Sequence, residues 1–207
     1  TRVASLLLAA GLPLQAAERV FDFSRTKAGE APAEFRSTLT GTGLPGEWKV
    51  IEEELVSPLA PSDAKPSVTT QQRVLAQLSQ DKTDERFPLL VYEGETFSDF
   101  TLTTRFKTVS GLVEQMAGVA FRIQDETNYY VLRASSLGNS FRFYKFVQGE
   151  RSQPVGVDVE VPRGVWQELT VECTGNRIRC LLNGRQLFPD LTDDSFLEGR
   201  IGFWTKS

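Results

Sequence analysis

Hydrophobic and polar residues alternate with a period of two in short runs along the chain after Trp48, and turn-forming residues separate the runs. This alternation predicts antiparallel β-strands that each bury one face. Helical periodicity is weak in this part of the chain. Val74–Leu78 would fit either one helical turn or a strand, and we interpret it as a strand. Many short strands with closely spaced turns predict an all-β sandwich or barrel.

The clearest predicted hairpin joins Gly118–Gln124 to Tyr129–Ala134 through a four-residue loop. This register places Phe121 opposite Leu132 and puts Ile123 on the same apolar face. A slip of one residue would mix apolar and polar side chains on both faces, so the pattern favours this pairing.

The next predicted strand, Phe141–Val147, extends both faces of this hairpin. Phe143 joins the apolar face, and Lys145 is expected to point towards the core beside Tyr130 and to snorkel out at the sheet margin. The opposite face combines aromatic rings with arginine and glutamine donors. Its members are Arg122, Gln124, Tyr129, Arg133, Arg142 and Tyr144.

The composition of this second face suits carbohydrate recognition. An aromatic ring stacks on the apolar face of a sugar, while arginine and glutamine side chains hydrogen-bond hydroxyl or carboxylate groups. We therefore predict that these six residues bind a glycan. The alternative, that they only cover the solvent side of a sheet with arginine stems lying over tyrosine rings, stays open.

A second hairpin is predicted for Gln167–Cys173 and Ile178–Asn183, with Gly175-Asn176 as a two-residue turn. Glycine in the first central position fits a type II′ turn. Asn183-Gly184 predicts a further turn directly after this hairpin, and Glu172 faces Arg179 across the strands as an ion pair. From both hairpins the predicted core between the sheets is Phe121, Ile123, Leu132, Phe143, Leu169, Val171 and Leu182.

Cys173 and Cys180 fall on the core face as diagonal neighbours in this register. Diagonal neighbours usually lie too far apart for a disulfide, which favours buried free thiols. If the turn instead shifts to Asn176-Arg177, the two cysteines lie directly opposite each other, and an oxidising compartment would then favour a disulfide.

Composition excludes several functions. The 207 residues carry 27 acidic and 23 basic side chains, so the net charge is −4 and the pI is about 5.1, which argues against nucleic-acid binding. The absence of histidine excludes Ser-His-Asp and Cys-His catalysis and HExxH zinc sites within this sequence. We predict no metal or cofactor. Clustered oxygens at Asp190, Asp193 and Asp194 leave a Ca²⁺ site as the alternative to a polar turn.

The N-terminal residues have the pattern of a secretory signal peptide. Arg2 precedes an apolar run that ends at Leu12, and Ala16 and Ala17 follow it as small cleavage-site residues. The run is too short to span a membrane, and no later stretch is long enough either. We therefore expect residues 1–17 to be an N-terminally incomplete signal peptide, with a buried helix as the alternative. Residues 18–207 then form one periplasmic or extracellular domain.

Several segments together resemble a secreted bacterial family, the 3-keto-disaccharide hydrolase-like domains with a concanavalin A-like, laminin G-like jelly roll. These segments are RVLAQLS (73–79), RFPLLVYEG (86–94), FSDFTLTTRFKTVSG (97–111), AGVAFRIQDETNYYVLRASSLGN (117–139), FYKFVQGER (143–151) and GRIGFWTKS (199–207). The resemblance covers nearly all of residues 18–207. It implies a two-sheet antiparallel jelly roll that holds carbohydrate on a concave face or rim, with one more strand after residue 207.

The resemblance leaves two functions open. One is a secreted, non-catalytic carbohydrate-binding module. The other is a glycoside hydrolase acting on 3-keto-disaccharides or other 3-keto-glycosides, where the keto group acidifies the neighbouring C–H bond and elimination needs a single base. Glu114 and Asp125 are the available bases. The sequence lacks the Glu-x-Asp-x-x-Glu strand of related glucanases, so we favour binding and leave catalysis undecided.

Overall fold

The computed structural model describes residues 17–56 and 69–207 of the chain. The predicted signal peptide, except Ala17, and the proline-rich stretch 57–67 lie outside the described residues. None of the described residues belongs to a helix that could cross a membrane. The described residues form fifteen strands: β1 (Phe35–Gly41), β2 (Trp48–Val56), β3 (Thr69–Gln77), β4 (Arg86–Tyr92), β5 (Phe100–Phe106), β6 (Met116–Asp125), β7 (Asn128–Ser135), β8 (Ser140–Val147), β9 (Glu150–Arg151), β10 (Val155–Asp158), β11 (Gln167–Thr174), β12 (Arg177–Leu182), β13 (Arg185–Gln186), β14 (Leu191–Thr192) and β15 (Arg200–Lys206).

The strands form two antiparallel sheets and a separate hairpin. The large sheet has the order β1-β4-β15-β6-β7-β8-β10, with β9 also paired to β8. The smaller sheet has the order β13-β12-β11-β5, with β14 also paired to β12. Strands β2 and β3 pair with each other. This architecture is the predicted all-β, two-sheet jelly-roll sandwich, with β3 as the strand expected at Val74–Leu78.

A hydrophobic core fills the space between the sheets, as the alternation predicts. Six of the seven predicted core residues belong to one buried cluster: Phe121, Leu132, Phe143, Leu169, Val171 and Leu182. Each is at most 6% exposed. The prediction was wrong for Ile123, which is buried on the opposite face of the large sheet.

The β11–β12 hairpin has the predicted register. Cys173 lies opposite Ile178, Val171 opposite Cys180, and Glu172 opposite Arg179. Gly175 has φ +55°, which glycine adopts at little cost and which fits the type II′ turn. The predicted ion pair forms, with 3.4 Å between Arg179 Nη1 and Glu172 Oε2.

Both cysteines are buried free thiols in the structure, as their diagonal placement favoured. Burial raises the pKa of the Cys173 thiol to about 12 and that of Cys180 further still, so neither is poised to react as a thiolate.

The β6–β7 hairpin differs from its predicted register. Asp125 pairs with Asn128 across a two-residue turn, and Phe121 lies opposite Tyr130 instead of Leu132. A β-bulge between Phe121 and Asp125 takes up the difference, and Arg122 there has a φ of +48°. A bulge changes which face the following side chain occupies, and this is why Ile123 leaves the core between the sheets.

The outer face of the large sheet is also buried, against the prediction of a polar surface. A second hydrophobic cluster there contains Tyr129, Tyr144, Phe146, Phe87 and Trp204. The Tyr129 and Phe146 rings stack with centroids 4.7 Å apart, and those of Phe87 and Trp204 stack at 5.7 Å. Tyrosine has a large apolar body, so it packs in a core whenever its hydroxyl finds a partner.

Candidate functional site

The structure does not place the six predicted glycan-binding residues on one exposed surface. Arg122 and Tyr129 are fully buried, Arg133 is 5% exposed, and Tyr144 is 9% exposed. Of the predicted set, only Arg142, which is half-buried, and Gln124, which is exposed, retain substantial contact with solvent. The prediction of a shared polar face over three strands was therefore wrong.

Arg122 points into the protein because of the β-bulge. Its Nη1 donates to the carbonyl oxygen of Phe196 at 3.0 Å, and its Nη2 donates to those of Ser98 at 3.1 Å and Gly175 at 2.5 Å. These three carbonyls come from separate connecting segments. Arg122 thus ties the large sheet to the loops of the smaller sheet and has no side-chain donor left exposed for a ligand.

Arg133 and the two tyrosines are likewise held by protein partners. Arg133 donates to Ser140 Oγ at 2.6 Å and to the Tyr144 hydroxyl at 3.0 Å. Tyr129 shares a 2.9 Å hydrogen bond with Thr40 Oγ1. Burial raises the Tyr129 pKa far above its ordinary value, and the hydrogen bond with Thr40 only partly opposes this effect.

The two accessible members of the predicted set also bind the protein itself. Arg142 forms an ion pair with Asp158 on the neighbouring strand β10. Gln124 Nε2 donates to the carbonyl oxygens of Arg122 and Glu198, at 3.1 and 2.5 Å. These contacts stabilise the rim of the sheet.

The two candidate bases lie at opposite ends of β6 and cannot act together. Strand β6 has ten residues, which corresponds to about 30 Å. Asp125 accepts hydrogen bonds from Thr127 and Asn128 in the turn. Burial opposes ionisation of Asp125, but these hydrogen bonds outweigh it and lower the pKa. Glu114 lies in the loop before β6, with its Oε1 3.7 Å from Lys206 Nζ.

The acidic residues considered for Ca²⁺ are each engaged by a donor. Asp190 accepts from Arg179 at 3.0 and 3.2 Å, and Asp193 accepts from Lys145 at 2.6 Å. Lys145 thus reaches the sheet margin as predicted. Asp194 accepts from the Asn176 amide at 3.0 Å. Within residues 17–56 and 69–207, no three His, Cys, Asp or Glu side chains are grouped so that they could hold a metal ion.

A groove of about 780 Å³ lies at one side of the sandwich. It is lined by β3 and the following segment 78–82, by residues 103–118 from the end of β5 to the start of β6, by Trp166, and by the end of β15. In the part of the chain that the structure describes, β5 pairs only with β11, and β3 only with β2. Each of these two strands therefore keeps one edge of N–H and C=O groups without a backbone partner.

The groove combines an aromatic ring with charged side chains. Trp166 is half-buried. The Arg105 guanidinium carbon and Lys107 Nζ each lie 5.3 Å from the centroid of its indole ring. Lys107 also forms an ion pair with Glu53 of β2. The Lys206–Glu114 pair lines the same groove. Aromatic surface next to hydrogen-bonding groups is typical of a small-molecule site.

Sequence reasoning did not assign Trp166 to the site, because a tryptophan side chain is large and usually packs in the protein interior. Trp48 and Trp204 are indeed buried, at 7% and 2% exposure. A local signal did exist for Trp166, since it precedes Gln167 and shares the outward alternation of Glu168. The pairing of β11 with β5, which sets Glu168 opposite Arg105, is not visible in the local pattern.

Comparisons with known proteins give a family and a fold. Residues 34–205 match the sequence profile of the 3-keto-alpha-glucoside-1,2-lyase-like domain. A search among curated proteins found no match. The carbohydrate-binding module CBM66 from Bacillus subtilis is similar in structure, with a TM-score of 0.55 and 18% identity, covering 77% of this chain and 87% of the module.

Two further solved structures are more distant. Sheep galectin-11 has a TM-score of 0.43 at 10% identity, covering 52% of this chain and 82% of the galectin. A native glycosidic hydrolase has a TM-score of 0.48 at 7% identity, covering 84% of this chain and 77% of the hydrolase. At these levels of identity the similarity concerns the fold, and the TM-score of CBM66 is the one of the three that exceeds 0.5.

Proposed function

The chain belongs to the 3-keto-alpha-glucoside-1,2-lyase-like domain family, and we propose that it is a non-catalytic carbohydrate-binding module. The observation that carries this proposal is the groove between β3 and β5, in which Trp166 lies beside Arg105 and Lys107. A sugar needs an apolar surface for its C–H groups and donors or acceptors for its hydroxyls. The indole supplies the first, and the cations and unpaired strand edges supply the second.

The fold supports the same function. CBM66, whose name describes a carbohydrate-binding module, shares the sandwich over 77% of this chain. The groove volume of about 780 Å³ falls within the range of roughly 300–1,000 Å³ that is usual for ligand sites.

Catalysis is the less favoured alternative. Hydrolysis of a glycoside by paired carboxylates requires them to lie about 5–9.5 Å apart, and Glu114 and Asp125 lie at opposite ends of β6. Elimination from a 3-keto-sugar would need a single base, for which Glu114 is the candidate in the groove. Its carboxylate lies against Lys206, so the groove offers an ion pair at this position.

The experiment is a glycan array with the wild-type protein, followed by titration calorimetry of the best ligand against Trp166→Ala. We expect Trp166→Ala to weaken binding about tenfold or more, because losing ring contacts worth about 1.4 kcal/mol gives that factor. The control is Leu197→Ala, because Leu197 is 50% exposed and lies outside the groove. Unchanged affinity in a folded Trp166→Ala protein would reject the groove as the site.

Two further measurements in the same experiment test the remaining expectations. Because we propose that binding needs no metal, EDTA should leave affinity unchanged. A loss that Ca²⁺ restores would instead point to Asp190, Asp193 and Asp194. Incubation with a 3-keto-glucoside should give no product, and turnover that disappears in Glu114→Gln would establish the catalytic alternative.

We also propose, from the sequence alone, that residues 1–17 direct export and that the domain acts in the periplasm or outside the cell on glycans, without binding nucleic acid. N-terminal sequencing of protein expressed with its native leader should find the first residue after Ala16 or Ala17. A cytoplasmic protein that retains this segment would contradict the proposal.

A further inference from the structure

The charges that line the groove are unevenly matched. It has four acidic lining residues, and each already has a donor: Asp22 accepts from Ser24 at 2.8 Å, Glu53 pairs with Lys107, Asp81 accepts from Thr83 at 2.7 Å and from the Leu44 amide at 2.8 Å, and Glu114 faces Lys206. The acidic side chains of the groove are therefore engaged with the protein.

The cations of the groove are not all engaged in this way. Lys107 and Lys206 have the acidic partners named above, and Arg73 lies 4.0 Å from Glu52. Among the described residues, Arg105 and Lys82 line the groove without a carboxylate within 4.0 Å. The groove is lined by five cationic side chains and four carboxylates, so it has a small positive excess, although the chain as a whole has a net charge of −4.

Arg105 is also placed where a ligand would meet it. It is exposed and its guanidinium lies over Trp166. On the same outer face of β5 and β11, Thr103 and Thr170 share a hydroxyl hydrogen bond of 3.0 Å. A planar guanidinium offers two parallel N–H donors to a carboxylate, and this geometry distinguishes an acidic group from a neutral hydroxyl.

We infer that the glycan bound in the groove is acidic, a uronic-acid-containing oligosaccharide whose carboxylate pairs with Arg105 while a sugar ring contacts Trp166. This inference rests on the proposed carbohydrate-binding function and narrows it to a substrate class. Lys82 lines the same groove and adds a second unmatched positive charge, so affinity should fall as salt screens the attraction.

The experiment compares two ligands that differ only in charge: oligogalacturonate and its carboxyl-reduced, neutral counterpart. Calorimetry with the wild-type protein should show at least tenfold tighter binding of the acidic form. Arg105→Gln should weaken binding of the acidic form roughly ten- to hundredfold, as expected for loss of a charge-assisted pair. It should weaken binding of the neutral form by less than about threefold, because glutamine can still donate a hydrogen bond to a sugar hydroxyl. The control Arg36→Gln removes another exposed charge, which lies outside the groove, and should change neither affinity.

The outcomes separate this inference from the proposed function. If both oligosaccharides bind equally well and Trp166→Ala weakens both equally, the inference of an acidic glycan is wrong, while the proposed carbohydrate site in the groove stands. Absence of glycan binding in the array would overturn both. If Arg105→Gln does not fold, the comparison of the two ligands on the wild-type protein still decides, because it requires no variant.

Discussion

Replacing Arg122 with methionine tests whether this residue is structural, as the bulge implies, or part of a binding face. Methionine keeps the apolar stem of the side chain but removes the guanidinium that donates to the carbonyls of Phe196, Ser98 and Gly175. Each buried carbonyl left without a partner costs about 1–3 kcal/mol. Part of that cost is offset because methionine, unlike arginine, carries no charged guanidinium that must lose its hydration on burial. We therefore expect the free energy of unfolding to fall by about 3–5 kcal/mol.

Urea unfolding followed by tryptophan fluorescence measures this difference. In a chain of this size, it corresponds to a melting temperature roughly 6–20 °C lower. The matched control is Arg142→Met, because Arg142 is half-buried and pairs with an exposed Asp158. That change should cost less than about 1 kcal/mol. An Arg122→Met protein within about 0.5 kcal/mol of the wild type would refute the structural role.

Two further predictions concern polar groups packed against the large sheet. Arg133→Ala should lower the free energy of unfolding by about 2 kcal/mol in urea melts, because Ser140 and Tyr144 lose a buried donor. The same change should leave glycan affinity unchanged. A variant that is as stable as the wild type but binds glycan more weakly would contradict this prediction. Burial opposes ionisation of Asp193, but hydrogen bonds from Lys145, Tyr130 and Ser195 outweigh it and hold the pKa well below its ordinary 3.8. The ionised Asp193 carboxylate should therefore stabilise the fold above about pH 4, and this contribution should be lost as the pH falls further and the carboxylate is protonated. The Asp193→Asn variant should be less stable than the wild type at pH 7, and its free energy of unfolding should fall less between pH 4 and pH 2. If the free energy of unfolding of the variant depends on pH as steeply as that of the wild type, this prediction is wrong.

The sequence predicted the β11–β12 hairpin correctly because its information is local. Gly175 supplies the positive φ that a two-residue turn demands, and strict alternation on either side fixes which residues face the core. The next turn follows the same rule, since Asn183 and Gly184 both have positive φ, at 52° and 70°. Where turn chemistry and alternation agree, the register follows.

The β6–β7 hairpin lacks such a signal. Residues 125–128 contain no glycine, so both a four-residue and a two-residue connection fit the pattern. The structure has the shorter turn and a bulge at Arg122, a residue type that rarely adopts positive φ. The bulge turned an apparent surface arginine into a buried one, and the predicted binding face depended on that residue being exposed.

The candidate groove could not be predicted from local patterns at all. It arises where β3, β5 and the end of β15 approach one another, and these elements are separated by long stretches of chain. Periodicity indicates which side chains leave a strand on the same face, but the order of strands in a sheet decides which of those faces meet. For this reason Trp166 and Arg105 each looked unremarkable in the sequence.

Arg122 and the Gly175 turn should therefore be energetically coupled, although they come from different hairpins. Alanine at Gly175 meets no atom within 4 Å, so its cost of about 1–2 kcal/mol comes from the positive φ alone. A turn that relaxes from this conformation moves the carbonyl oxygen that Arg122 holds at 2.5 Å. Gly175→Ala should thus cost at least 0.5 kcal/mol more in the wild type than in Arg122→Met. Gly184→Ala is the control, because Gly184 also has a positive φ and open space but no contact with Arg122, and its cost should be the same in both backgrounds. Equal costs for Gly175→Ala in the two backgrounds, measured by urea unfolding, would show that Arg122 does not restrain this turn.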